Sequence, residues 1–192
     1  MIYNLSCSFT GHRKLPSAEY GTLKKQLFEI CEKLIVSNSV NYFYCGGALG
    51  FDTLAANVIL SLKEKHPEIS LILVLPCKDQ AVKWNYDNKR EYEYILSYAD
   101  DVIYTSEFYD DKCMQKRNKY LVDSSLYMIT YLRKDMSGTK ATRNYAVKQN
   151  SIIIDLWPTH IHCFHCTLFR NICTVHFIGN WGWTAVCRKI AS

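Results

Sequence analysis

The sequence predicts an α/β protein with a doubly wound, mostly parallel sheet, helices on both faces of that sheet, and a short Cys/His-rich C-terminal tail. Short apolar runs alternate along the chain with segments whose apolar residues recur every three or four positions. One run, ISLILVLP at 69–76, is almost continuously apolar, which is typical of a strand buried on both faces. Glycine-containing turns follow several of these runs, where the next helix is expected to begin.

The first half of the chain supplies three strand–helix pairs. The runs YNLSCSF and VNYFYC are short and contain the aromatic and β-branched residues that favour strands. Apolar residues recur at helical spacing after Ser17, which can cap a helix, and Leu54, Val58 and Leu62 form one stripe. A long polar segment with several tyrosines and lysines closes this half as a third helix. The expected strands are 3–9, 40–45 and 69–76, and the expected helices are 17–36, 51–65 and 79–98.

The second half continues the alternation without an internal repeat or a low-complexity linker. The apolar runs DVIYTS, LYMITYL and SIIIDLW predict strands, and the polar segments between them predict helices. The expected strands are 101–106, 126–132 and 151–157, and the expected helices are 111–122 and 137–150.

Composition narrows the class of protein. The chain has 192 residues, of which 48% are hydrophobic and 21% charged, as in a globular domain with an appendage. The net charge of +5 permits contact with phosphate, but without a dense Lys/Arg block it does not favour nucleic acid. No apolar run is long enough for a membrane helix, and the N-terminal segment lacks a signal-peptide pattern, so we expect a cytoplasmic protein without membrane contact. The oligomeric state stays open, a homo-oligomer included.

The loops that follow the predicted strands carry the candidate site. TGHRK follows the first strand, GGALGFD the second, and SGT opens the last helix. Ligands of doubly wound sheets bind beyond the carboxyl ends of the strands, and helix N-termini attract phosphate. We therefore expect phosphate at these turns. The glycine spacing matches neither the usual dinucleotide fingerprint nor the P-loop, and turns of this kind also occur for packing alone.

Individual residues in these loops suggest roles. Gly46 and Gly47 would let the backbone approach a ligand, and Gly50 would open a helix. Asp52 could cap that helix or accept a hydrogen bond from a ribose hydroxyl. At the other turn, either Ser137 or Thr139 could bond a phosphate oxygen.

Three further residues could contact the same ligand. His12 and Arg13 would add positive charge, since arginine can bind phosphate through two parallel hydrogen bonds. A solvated turn paired with a nearby acid is the alternative for both residues. Trp84 could stack on a base, and packing against the sheet is its alternative.

These strand-end segments together resemble a known family. TGHR, CGGALGFDTLAA, LPCKDQAVKW, RNKYLVDSS and SGTKATRNYA are similar, over about residues 3 to 157, to the YpsA-like branch of the SLOG superfamily of bacterial and phage-type proteins. The chain resembles the DNA-processing protein A domain and the LOG phosphoribohydrolases more distantly. The resemblance implies a Rossmann-like fold that binds a nucleotide-type ligand such as NAD or ADP-ribose. Its implied ligand-binding positions are Thr10, Gly11, His12, Arg13, Gly46, Gly47, Gly50, Asp52, Arg117, Asn118, Gly138, Thr139 and Thr142, with Ser137 in place of a usual glycine.

One departure from the relatives bears on chemistry. The LOG hydrolases carry a glutamate that takes part in glycosidic cleavage, and the corresponding position here is Thr142. Because a hydroxyl cannot serve as that carboxylate, we expect binding rather than catalysis, with no catalytic residue assigned. The first hypothesis is thus a nucleotide sensor or sequestering protein. The alternatives are an N-glycosidic or phosphoribosyl hydrolase and a DNA-associated protein.

The C-terminal tail differs from the rest in composition. Residues 158–192 contain no Asp or Glu, four of the nine cysteines and four of the six histidines. We therefore place a domain boundary after residue 157, with a nucleotide-binding domain at 1–157 and a tail at 158–192. Two pairs of soft ligands in the tail have a spacing suited to tetrahedral zinc. The candidate zinc ligands are Cys163, Cys166, Cys173 and His176. Apolar packing on the sheet and disorder are the alternatives.

Overall fold

The computed structural model describes residues 5–133 and 138–156, together with the backbone of three strands at 164–168, 171–177 and 183–188. The helices are α1 (Ser17–Asn38), α2 (Phe51–Lys63), α3 (Tyr86–Tyr98), α4 (Cys113–Asp123) and α5 (Gly138–Lys148). The strands are β1 (Ser6–Gly11), β2 (Tyr42–Cys45), β3 (Ser70–Leu75), β4 (Asp101–Tyr104), β5 (Tyr127–Tyr131), β6 (Ile152–Leu156), β7 (Phe164–Leu168), β8 (Asn171–Phe177) and β9 (Trp183–Arg188).

The first six strands form a parallel sheet in the order β4-β3-β2-β1-β5-β6. The chain winds outward from β1 to β4 and then crosses back to β5 on the other side of β1. This order confirms the predicted doubly wound sheet. It also creates a switch point between β1 and β5, where Thr10 pairs with Thr130 and Gly11 with Tyr131. Crevices form beyond the strand ends at such points.

Strands β7, β8 and β9 continue the sheet beyond β6 in antiparallel pairing. They belong to the Cys/His-rich tail, and the structure describes only their backbone. The proposed boundary after residue 157 therefore stays a prediction.

Helices cover both faces of the parallel sheet, as predicted. On β3, Leu71 and Leu73 belong to the core beneath α1, α2 and α3, whereas Ile72 and Val74 pack with Leu121 of α4 on the other face. A third cluster joins α4 and α5 to β5 and β6. This alternation explains the near-continuous apolar run of β3, because both of its faces are buried. Five cysteines of the described residues are free and buried: Cys7, Cys31, Cys45, Cys77 and Cys113.

The predicted helix at 79–98 is wrong in its first part. A short 3-10 helix spans Lys78–Ala81, and α3 begins only at Tyr86. The Asn85 side chain accepts a hydrogen bond from the Asn88 backbone N–H at 2.9 Å, and this cap fixes the start of α3. Gln80 and Trp84 consequently lie in the connection that follows β3, at the carboxyl edge of the sheet.

Strand β1 is also displaced from its predicted position. It runs to Gly11, so Thr10 and Gly11 end the strand instead of lying in the following turn. None of the helices in the described ranges is both long and apolar enough to cross a bilayer.

Candidate functional site

A crevice opens at the switch point, beyond the carboxyl ends of β1 and β5. Its volume is about 350 Å³, within the range of small-molecule sites. The end of β1, the glycine-rich loop before α2, one face of α4 and the start of α5 meet around it. Its lining residues are Thr10, Gly11, His12, Arg13, Ala48, Asp52, Met114, Arg117, Asn118, Gly138 and Thr139.

A buried ion pair forms one wall of the crevice. Arg117 Nη1 lies 3.1 Å from Asp52 Oδ2, and the two side chains are only 8% and 5% exposed. The same carboxylate oxygen accepts a hydrogen bond from the Ala48 backbone N–H at 3.3 Å. Burial raises the pKa of Asp52, although the neighbouring Arg117 charge pulls that pKa down. The carboxylate therefore depends on Arg117 for its charged form, and it is already bonded within the protein.

The rest of the Arg117 guanidinium is poorly satisfied. Its Nε is buried and has no hydrogen-bond partner among the described residues. Its Nη2 lies 3.8 Å from Met114 Sδ, and Arg13 Nη2 lies 3.9 Å from the same sulfur. A thioether is a weak acceptor, so two positive groups converge on an atom that satisfies neither well. The crevice thus presents positive charge at the place where that sulfur lies.

Glycine at position 46 is required by the ion pair. A Cβ built there would overlap Arg117 Nη1 and lie 2.6 Å from Asp52 Oδ2. Gly46 therefore allows the backbone to lie close to the Arg117 guanidinium, a group of the protein itself.

Glycine at position 50 is required by the neighbouring loop. Its φ is +79°, and a Cβ would lie 2.6 Å from the carbonyl oxygen of His12. That oxygen accepts a hydrogen bond from the Phe51 N–H at 3.1 Å, which holds the end of β1 against the start of α2. The N-terminus of α2 has no side-chain cap.

His12 connects the two strands that flank the crevice. Its Nε2 accepts a hydrogen bond from the Arg133 backbone N–H at 2.8 Å, and its ring meets Tyr131 edge-on at 6.1 Å. Because Nε2 accepts this hydrogen bond, it carries no proton. His12 therefore helps to form the wall of the crevice and does not add the predicted positive charge.

The structure brings most of the sequence-predicted residues to this one crevice, including the starts of both α2 and α5. Three of the predicted residues are not among those that line it: Gly46, Gly47 and Gly50. Thr142 is buried within α5, where its hydroxyl donates to the Gly138 carbonyl at 2.9 Å, and it lines a groove beside the crevice. Ser137 lies outside the described residues.

Sequence reasoning missed Ala48 and Met114. Spacing could have indicated Met114, because it stands three positions before Arg117 on a helix and so shares its face. No feature of the sequence indicates Ala48, because an alanine side chain has no functional group that would suggest a role in binding.

A second cavity of about 680 Å³ adjoins the crevice. We call it the aromatic compartment; its own lining residues are Asp79, Gln80, Val82, Lys83, Trp84 and Tyr109. Arg13, Ala48 and Met114 line both cavities, so the two cavities share a wall. Trp84 therefore lies beside the crevice, with its ring edge-on to Tyr92 at 5.3 Å.

Within the residues whose side chains are described, no group of three or more His, Cys, Asp or Glu could hold a metal ion. The candidate zinc ligands fall outside this part. Cys163 is not described at all, and only the backbone is described at Cys166, Cys173 and His176. Zinc in the tail stays a prediction.

The parallel sheet and the crevice at its switch point define a Rossmann-like α/β protein. Residues 11–154 match the model of the YspA SLOG family, and the chain belongs to this family. It is 34% identical over 150 residues to the uncharacterized SPbeta prophage-derived protein YoqJ of Bacillus subtilis (strain 168), covering 72% of this chain and 87% of that protein. It is 29% identical over 120 residues to UPF0398 protein BH1768 of Halalkalibacterium halodurans, covering 62% of this chain and 64% of the relative.

Solved structures of DNA processing protein A share the fold. The Helicobacter pylori protein, described for its single-stranded DNA binding mode, aligns with a TM-score of 0.58 at 17% identity over 81% of this chain. The Streptococcus pneumoniae protein aligns with a TM-score of 0.56 at 17% identity over 78% of this chain. The chain spans 66% and 49% of those two proteins.

Proposed function

We propose that the chain binds a nucleotide-derived anionic ligand, whose phosphate lies in the crevice between β1 and β5. The observation that carries this proposal is the convergence of Arg13 Nη2 and Arg117 Nη2 on Met114 Sδ, at 3.9 and 3.8 Å. A sensor or a sequestering protein would need no more than such a site.

A phosphate oxygen in place of the sulfur would bond both guanidinium groups. Hydrogen bonds between charged groups are roughly twice as strong as neutral ones, and a thioether offers neither charge nor strong acceptor character. Met114 is half-buried and flexible, so its side chain can move aside. The start of α5 faces the same space with Gly138 and Thr139, and its first N–H groups would favour negative charge.

Replacing Arg13 with alanine should weaken binding without unfolding the protein, because Arg13 is exposed. Loss of one charge-assisted hydrogen bond, worth about 1.5 to 3 kcal/mol, should lower affinity by about 10- to 100-fold. Titration calorimetry with inorganic pyrophosphate, ADP, ADP-ribose and NAD measures this effect. Lys14→Ala is the matched control, because this substitution also removes one positive charge. Lys14 is exposed, as Arg13 is, and it lines neither cavity.

Two outcomes would contradict the proposal. In one, none of the four anions binds the wild-type protein or raises its melting temperature. In the other, Arg13→Ala and Lys14→Ala weaken binding equally, which would indicate general charge attraction instead of a site at Arg13.

The geometry gives less support to the hydrolase alternative. Among the described residues that line the crevice, Asp52 supplies the one carboxylate, and it is bonded to Arg117 and Ala48. Thr142 uses its hydroxyl within α5. Release of free base from a nucleoside monophosphate would nevertheless reveal such an activity directly.

Binding of single-stranded DNA is the second candidate, favoured by the structural likeness to the Helicobacter pylori protein. The aromatic compartment adjoins the crevice, and Phe108 and Tyr109 are exposed aromatic residues, as stacking on unpaired bases would need.

DNA binding predicts affinity for a fluorescent oligonucleotide that falls steeply with salt, by about 0.7 in log K per log unit of salt for each phosphate contact. Fluorescence anisotropy over a salt series measures this slope. A slope near zero, or no binding at low salt, would exclude this candidate and leave the small-molecule proposal intact.

A further inference from the structure

We infer that Met114 is an oxidation site and that its sulfoxide closes the crevice to phosphate. The closure rests on the proposed function, whereas the oxidation does not. Three observations support the inference: two guanidinium groups converge on the Met114 sulfur, the side chain lines both cavities, and it is half-buried and not sealed in the core.

The surroundings of the Met114 sulfur favour an added oxygen. Arg13 Nη2 lies 3.9 Å and Arg117 Nη2 lies 3.8 Å from Met114 Sδ. Both distances are longer than an N–H···O hydrogen bond, so an oxygen bonded to the sulfur on that side would lie closer to these donors than the sulfur does. A thioether accepts weakly, whereas a sulfoxide oxygen is strongly polar, and hydrogen bonds from charged donors are the stronger ones. The two guanidinium groups would therefore stabilise the sulfoxide.

Met114 is accessible to a small oxidant. It is the second residue of α4 and lines both the crevice and the aromatic compartment. Met128 on β5 is 0% exposed and packs in the cluster that joins α4 and α5 to β5 and β6. Hydrogen peroxide is little larger than water, so it can reach Met114 from the cavities, whereas Met128 is shielded. Met128 therefore provides an internal reference for the oxidation of Met114.

Hydrogen peroxide is the oxidant, and one molecule is consumed for each sulfoxide. A lone pair of the Met114 sulfur attacks one peroxide oxygen, so that the S–O bond forms and the O–O bond breaks. The other oxygen leaves with the electron pair of the broken bond, takes the proton from the transferred oxygen and departs as water. The sulfur is oxidised by two electrons and the peroxide is reduced by two. Methionine sulfoxide can be reduced again enzymatically, so the modification is reversible.

The sulfoxide would use the donors that we propose for phosphate. Its oxygen would accept hydrogen bonds from the Nη2 groups of Arg13 and Arg117, and an incoming anion would have to break these bonds before it forms its own. The anion would therefore gain less free energy on binding than it does when it displaces a thioether. We expect oxidation of Met114 to lower pyrophosphate affinity by about tenfold or more.

The test treats the whole chain with hydrogen peroxide, removes the excess and adds dithiothreitol, which reduces disulfides and leaves sulfoxides unchanged. Peptide mass spectrometry measures the oxygen added at Met114 and at Met128, and titration calorimetry measures pyrophosphate affinity. We expect Met114 to be oxidised well before Met128, and affinity to fall in proportion to the oxidised fraction of Met114.

Met114→Leu is the matched control, because leucine is an apolar residue of similar size that peroxide does not oxidise. This variant keeps Met1, Met128, Met136 and every cysteine, so other oxidised sites would still act on it. Its pyrophosphate affinity should be the same before and after treatment.

The inference is overturned if Met114 is oxidised no faster than Met128, or if wild-type protein oxidised at Met114 binds pyrophosphate as tightly as before. It is also overturned if treatment weakens binding by the Met114→Leu variant equally, or if the near-UV circular dichroism of the wild-type protein is lost together with binding, since the protein would then be unfolding. If the untreated wild-type protein binds no pyrophosphate, the proposed function and the closure both fail. Mass spectrometry then still decides whether Met114 is the oxidation site.

Discussion

Replacing Gly46 with alanine should destabilise the protein by about 3 to 5 kcal/mol, the cost of breaking a buried ion pair. The added Cβ would occupy the position of Arg117 Nη1 and lie 2.6 Å from Asp52 Oδ2, so guanidinium and carboxylate could not keep their contact. Neither group can turn to solvent without leaving the crevice wall, because both side chains are more than nine-tenths buried. For a chain of this size the melting temperature should fall by roughly 6 to 20 °C.

Gly21→Ala provides the control for this experiment. Gly21 lies within α1, is exposed, and a Cβ there would meet no atom within 4 Å. Alanine is the better helix former, so this variant should gain about 0.5 to 1 kcal/mol. Urea unfolding of both variants measures the difference. A Gly46→Ala protein as stable as the wild type would show that the Arg117–Asp52 contact is absent in solution.

The sheet could be predicted from the sequence because its strands are marked by apolar character alone. The run of β3 is apolar on both faces, and both faces are buried, so pattern and structure agree. The start of α3 could not be placed, since tyrosines and lysines continue through 78–98 and only the cap by Asn85 divides the segment. That cap depends on one local hydrogen bond, and the spacing of apolar residues along the sequence gives no information about it.

The candidate site could be predicted in its position but not in its contacts. Parallel strands bring their following loops to one edge of the sheet, so the sequence predicts that Arg13 and Asp52 lie close together. That Asp52 faces Arg117, 65 positions further along the chain, depends on how α4 packs against the sheet. The steric reason for Gly46 follows from the same contact. The glycine pattern predicts that position 46 approaches a ligand, whereas the structure places the Arg117 guanidinium there.

Replacing Arg117 with methionine should have the second large effect, and it acts on stability and binding together. Methionine keeps most of the length of the side chain but leaves Asp52 buried without its cation. Removing one partner of a buried ion pair costs about 3 to 5 kcal/mol near neutral pH. The variant should also lose measurable pyrophosphate binding, because Arg13, which is exposed, would be the one guanidinium left among the described residues that line the crevice.

The loss of stability in the Arg117→Met variant should depend on pH, and the direction of this dependence follows from the pKa of Asp52. Burial already raises the pKa of Asp52 in the wild-type protein, and the Arg117 charge opposes that rise. Without Arg117 the folded-state pKa must rise further above the unfolded value of about 3.9. A raised carboxyl pKa gives stability that is present below the unfolded value and lost as pH rises through the folded value. The gap in unfolding free energy between wild type and variant should therefore widen as pH rises from about 4 toward 7, by at most about 1.4 kcal/mol per pH unit.

The double variant Arg117→Met with Asp52→Asn separates the two roles of Arg117. Asparagine keeps an oxygen for the Ala48 N–H but has no charge, and replacing both members of a buried pair with neutral groups is often close to neutral in stability. Urea unfolding across the same pH range should show that most of the lost stability returns and that the widening gap disappears. Pyrophosphate binding should stay absent, because the folded crevice still lacks its buried cation. Binding that returns together with stability would mean that Arg117 holds the fold and that the anion site lies elsewhere.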